Sequence, residues 1–160
     1  MQLLIRHSRD VADKALGIAK SHPEWQADLQ FIEEAAMLHD IGIYLTDAPG
    51  IHCHGTEPYI CHGILGARLL RKEGLPRHAR VAERHTGAGL TAEDITSQGL
   101  PLPAKDFLPE TIAERVICYA DKFFSKSHPE REKTLESVLR SMAKFGEDSV
   151  ERFKRMVGDG

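Results

Sequence analysis

The chain has 160 residues, 41% hydrophobic and 28% charged, a balance that suits one folded domain and argues against a disordered or fibrous protein. A formal net charge of −3 at pH 7 leaves no basic footprint, so nucleic acid is not expected as a partner. No apolar run approaches the roughly 18 residues of a membrane span and the first residues lack the plan of a signal peptide, so a cytoplasmic protein without a membrane partner is expected.

In chain order, the periodicity predicts a first helix over about residues 4–20, with Ile5, Val11, Ala12, Ala15, Ile18 and Ala19 as its apolar set. Ser21-His22-Pro23-Glu24 fits a capping box ahead of a second helix over about 24–40, and the same four letters recur at Ser127-His128-Pro129-Glu130. Leu29, Ile32, Ala36 and His39 share one side of that second helix, and Gly42 stops it. A third helix covers about 58–73 and a fourth runs from Pro76, tolerated in a first turn, to about His85. The fifth, about 109–125, buries Ile112, Val116, Ile117, Ala120 and Phe123. Two further helical stretches follow, through Leu135, Val138, Leu139, Met142 and Phe145, then Val150, Phe153 and Val157. No segment alternates as a strand would, so the expectation is an all-α bundle. It forms a single domain over 1–160, with a core over about 4–126 and C-terminal helices over about 129–157. Two long connections, 44–57 and 87–108, are rich in Gly and Pro and read as walls or lids of a pocket. Cys53, Cys61 and Cys118 form no CxxC pair and read as free thiols.

The chemistry concentrates at Leu38-His39-Asp40-Ile41-Gly42, where an imidazole and a carboxylate are adjacent. His7, His62, His85 and Asp121 lie on other predicted helices, so six nitrogen and oxygen ligands can converge. Mixed imidazole and carboxylate donors suit Fe, Mn, Co, Ni or Zn, as one ion or two. One ion takes His7, His39, Asp40 and Asp121; a second takes His62 and His85, with Asp40 bridging. Gly63, Gly66 and Ala67 after His62 allow close helix approach. Arg84 and Lys122, which neighbour proposed ligands, are the first candidates for holding phosphate, ahead of Arg68 and Lys126. Asp40, Lys122 and Arg84 are thus the expected catalytic set. His22 and His128 are given no role; His78, two turns before His85, could line the same side but reads as a surface residue, and His52 and His54 are left between substrate contact and replacement ligand.

The ordered set of His7, His39-Asp40 in HDIG, His62 in Cys61-His62-Gly63-Ile64-Leu65-Gly66-Ala67, His85 in Arg84-His85-Thr86-Gly87, and Asp121 in Tyr119-Ala120-Asp121-Lys122 resembles the HD-domain superfamily of metal-dependent phosphohydrolases. The resemblance runs from His7 to about Lys126. It implies an orthogonal helical bundle, with His7, His39, Asp40 and Asp121 as the shared metal ligands. His62 and His85 match the two extra ligands of dinuclear members. The segments around His62, His85 and Asp121 are similar to the bacterial bis(nucleosyl) tetraphosphate hydrolases, from which the longer insertion between His85 and Asp121 departs. The resemblance therefore implies a phosphohydrolase that uses metal-activated hydroxide on a small phosphorylated metabolite, a nucleotide. A nucleotide-binding sensor without catalysis and a di-iron oxygenase are the alternatives. Oligomeric state is left open.

Overall fold

The computed structural model describes residues 2–158. Among them are eight α-helices: α1 (Gln2–Lys20), α2 (Leu29–Leu38), α3 (His62–Lys72), α4 (Pro76–Glu83), α5 (Ala92–Gln98), α6 (Ile112–Asp121), α7 (Leu135–Met142) and α8 (Glu147–Arg155). The chain is all-α, as its periodicity predicts. One small ribbon interrupts it within the first long connection, where β1 (Asp47–Ala48) pairs antiparallel with β2 (Cys53–His54).

Helix starts differ from the capping reading. The Ser21 hydroxyl donates to the Ile18 carbonyl at 2.7 Å, so it closes α1 instead of opening α2. Pro23–Trp25 makes a single 3-10 turn, and α2 opens only at Leu29, where the Asp28 carboxylate accepts from the Phe31 amide at 3.1 Å. The second copy of the motif also lies outside a helix, and Thr134 caps α7 in its place. A short helix depends on burying one face. The caps that matter are therefore those immediately before the buried runs, at Asp28 and Thr134.

The main core forms where α1 lies against α2 and α6. Val11, Ala12 and Ala15 meet Ile32, Ala35 and Ala36 on one side and Val116, Ile117 and Ala120 on the other. The alanines keep these axes close. α3 packs against α4 through Ala67, Leu70, Ala79 and Ala82. A second cluster joins Cys118 of α6 and Phe123 to Val138 and Met142 of α7 and to Phe153 and Met156 at α8. Phe153 is fully buried and stacks on Tyr119 at 4.6 Å between centroids.

Close approach is built into two glycines. A Cβ on Gly42 would lie 2.3 Å from the Gly66 amide nitrogen and 2.5 Å from the His62 carbonyl oxygen. One on Gly63 would lie 2.7 Å from the Ala82 carbonyl oxygen. Gly42 thus seats the turn after α2 on α3, and Gly63 seats α3 on α4.

The 87–108 connection is less irregular than its Gly and Pro content suggests. It holds α5, opened by a capping box in which Thr91 and Asp94 serve each other's backbone amides. Leu90 and Phe107 exchange backbone hydrogen bonds of 3.0 and 2.6 Å and close the segment on itself. All three cysteines are free and buried. No helix among the described residues is long and apolar enough to cross a membrane.

Candidate metal centre

Five elements deliver the cluster. His7 projects from α1, His39 caps the end of α2, Asp40 follows in the turn, His62 begins α3, His85 lies just past α4, and Asp121 ends α6. Two groups result, His7, His39, Asp40 and Asp121 in one and Asp40, His62 and His85 in the other; within each, the donor atoms all lie within 4.8 Å of one another. Asp40 belongs to both. Its Oδ2 faces the Nε2 atoms of His7 and His39 at 3.3 and 3.2 Å, and its Oδ1 faces those of His62 and His85 at 3.4 and 3.1 Å. Asp121 Oδ1 closes the first group at 2.8 Å from His7 and 3.1 Å from His39.

Backbone carbonyls fix the orientation of three imidazoles. The Nδ1–H of His39 donates to the Ala36 carbonyl at 2.6 Å, that of His62 to Tyr59 at 2.8 Å, and that of His85 to Ala82 at 2.6 Å. Each acceptor lies three residues earlier in the chain. A carbonyl only accepts, so each Nδ1 carries a proton and each Nε2 is turned toward the cluster.

These contacts test whether a cation fits. Burial, then the neighbouring His85, lowers the His62 pKa to about 4. Burial also lowers His85, against the pull of Asp40. Both rings are therefore neutral near pH 7, and their Nε2 lone pairs face each other at 2.9 Å. Both oxygens of the buried Asp40 lack a hydrogen-bond partner, because the surrounding nitrogens approach at ionic distance but off the bonding direction. Around Asp40 Oδ1, the lone pairs of His62 and His85 converge without protons and call for a positive ion. The residues fit one.

Burial would lower His39, but the Asp40 charge and the hydrogen bond to Asp121 outweigh it and hold the ring at about 10. Against the same burial, Asp40 is held well below the usual carboxylate range by His39 and Lys126. Burial pushes Asp121 up as well, but Lys122, with His39 and His7 assisting, outweighs it and holds the carboxylate well below its usual range.

The basic candidates separate clearly. Lys122 Nζ donates to Asp121 Oδ2 at 2.8 Å and to the His85 carbonyl at 2.6 Å, so it braces two cluster members. Arg84 is not brought to the cluster: its guanidinium donates to the Leu108 carbonyl at 2.7 Å and approaches Glu110 at 3.3 Å. Arg68 is exposed. Lys126 reaches Asp40 Oδ2 at 3.1 Å and the Tyr59 hydroxyl at 3.2 Å. Tyr59 went unnoticed in the sequence. Its ring stacks on His62 at 4.7 Å, and only its place three residues before a histidine could have signalled it. Tyr59 and Lys126 also line a cavity of about 360 Å³ with Phe124, Ser125 and Lys133.

The remaining histidines stay apart. His52 and His54 are exposed and join neither group. His22 stacks on Trp25, and His78 bonds Glu34 at 3.0 Å.

Comparison with known proteins adds three relatives. A Thermoplasma volcanium protein named tRNA (cytidine(56)-2'-O)-methyltransferase is 34% identical over 155 residues, covering 96% of this chain and 40% of that protein. A Picrophilus torridus protein of the same name is 39% identical over 124 residues, covering 77% of this chain and 32% of its own length. An uncharacterised Methanocaldococcus jannaschii protein is 36% identical over 121 residues, 74% of this chain and 64% of that one. This chain thus spans two fifths or less of the two named relatives. No solved structure matches it.

These relatives overturn the expected phosphohydrolase acting on a small nucleotide, and with it the exclusion of nucleic acid, because both named proteins are named for methylating tRNA. Their names support neither the nucleotide sensor nor the oxygenase alternative. The physical reason is twofold. A ligand set specifies an ion and not the bond it acts on, and a net charge summed over a whole surface hides local basic groups. What the residues do specify is the scaffold. HD domain similarity extends over residues 4–125, which include every member of the cluster, and the chain belongs to the HD domain family.

Proposed function

We propose that this chain is the metal-holding module of a tRNA ribose-methylation system and that it grips the RNA backbone at its metal centre. The observation that supports this most is the match of nearly the whole chain to part of a protein named for tRNA 2'-O-methylation. In this reading the methyl-transferring machinery lies in a separate domain or chain.

His7, His39, Asp40 and Asp121 would hold one divalent ion, and Asp40, His62 and His85 would hold a second, with Fe, Mn, Co, Ni or Zn suited to these donors. Such ions supply Lewis acidity to a phosphate or ribose oxygen. The protein's own groups do the rest. Lys122 keeps Asp121 ionised and aimed. Lys126, at the junction of cluster and cavity, presents an ammonium to a backbone phosphate. Tyr59 covers the His62 ring and limits water access from that side.

The test uses purified wild-type chain and Asp40→Ala. Elemental analysis is expected to find one or two ions per wild-type chain and a loss of most of this metal in the variant. Wild type is expected to retain tRNA in a filter assay, more weakly after chelation. Removing the coding segment from cells is expected to deplete 2'-O-methylcytidine in digested tRNA, read by mass spectrometry. A metal-free wild type, or unchanged tRNA nucleosides in the deletion strain, would overturn the proposal.

A further inference from the structure

A second pocket, lined by none of the cluster residues, lies between α6 and α8. It encloses about 440 Å³ and is lined by Pro109, Arg115, Asp148, Arg152, Arg155 and Met156. Three guanidiniums therefore face one carboxylate. Among the described residues, no acidic oxygen lies within 4.0 Å of any of the three, Asp148 included; Arg9, Arg71, Arg80, Arg84 and Arg140 have such partners, while Arg6, Arg68, Arg77 and Arg131 do not.

Their donors are also poorly used. Arg115 Nε is shut off from solvent and has no hydrogen-bond partner. Arg152 spends Nε on the Ala88 carbonyl at 2.7 Å and Nη2 on Gly89 at 3.4 Å, leaving Nη1 unbonded among the described residues. Arg155 uses only Nε, on the Glu151 carbonyl at 3.3 Å. Three guanidiniums gathered around one carboxylate leave the pocket with an excess of positive charge. An anion with several acceptor oxygens offsets that excess and takes up the free Nη donors of Arg152 and Arg155, and guanidinium forks match phosphate in shape.

We infer that this pocket is an anion site that seats a phosphate of the tRNA backbone, a second point of attachment beside the metal centre. This rests on the tRNA reading above. Arg152 ties the site to Ala88 and Gly89, just after His85, so the two attachment points share one stretch of backbone. Phosphate contacts of this kind set position and orientation without reading sequence.

The experiment measures tRNA affinity over a salt series for wild type, the double variant Arg115→Gln/Arg155→Gln, and Arg140→Gln as a control at an exposed position of α7. The double variant is expected to bind about tenfold more weakly near 0.1 M salt, with the slope of log affinity against log salt reduced by about 1 to 2. The control is expected to match wild type, and metal content is expected to be equal in all three. Arg115→Lys, which keeps charge and loses the fork, is expected to weaken binding without changing the slope; it stands in if the double variant folds poorly. Equal affinity and slope in wild type and the double variant would overturn the arginine site while leaving the tRNA reading intact. A wild type that fails to retain tRNA at any salt would overturn that reading, and this inference with it.

Discussion

At His39 a proton stands where a metal ion would bond. The ring titrates near 10 because Asp40 and Asp121 overcome its burial, whereas His62, near 4, and His85, also lowered, are neutral at physiological pH. An incoming ion must expel the His39 proton and none from the other two. The sign follows directly: metal affinity rises with pH as long as the metal-free ring is protonated, about tenfold per unit between pH 7 and 9. Calorimetry in two buffers of different ionisation enthalpy is expected to record close to one proton released at this ring per first ion bound. No release would place His39 neutral and refute the charge assignment. At this scale the imidazoles and carboxylates were legible as letters, since HDIG and the spaced histidines need no coordinates. The basic groups were not. Sequence adjacency ranked Arg84 ahead of Lys126, but successive residues on a helix project about 100° apart. Arg84 accordingly turns to Leu108, while Lys126, beyond the end of α6, folds back onto Asp40.

Between elements, separation is set by glycine. Gly42→Ala would drive a methyl into the backbone of Gly66 and His62, neither of which has a flexible end to yield. Overpacking of this sort costs about 1–3 kcal/mol. It would also push α3, and with it His62, away from Asp40. Urea denaturation is expected to show that loss and elemental analysis a reduced metal content. Gly17→Ala in α1, which has open space around its Cβ, is expected to be neutral or stabilising by up to about 1 kcal/mol. Identical behaviour of the two variants would refute the close-approach argument. The helices themselves were legible from apolar spacing because their buried faces are continuous. Their starts were not, since Ser21 and Ser127 offered the letters of a cap without a buried run directly behind them. α5 escaped notice for the opposite reason: Thr91 and Asp94 do cap it, but seven residues with Ile95 as the one buried side chain leave almost no period to read.

For the molecule as a whole, α7 and α8 are joined to the ligand-bearing helices chiefly through Phe153, which sits beside Tyr119 and Phe123 of the α6 region. Phe153→Ala is expected to cost about 3–5 kcal/mol. A thermal melt would show one transition shifted down, with metal content retained at temperatures below it. Two separate transitions would mean that the C-terminal helices fold independently of the rest. Function was the least legible property at this scale, because charge totals hide local basic groups and ligand sets do not name the bond acted on. The three imidazoles held by carbonyls three residues earlier explain how that freedom arises. Each donor's aim is wired inside its own short stretch of chain, so insertions between those stretches, or whole domains added at either end, leave it undisturbed. A unit assembled in this way is portable, and segments similar to it lie within proteins more than twice as long.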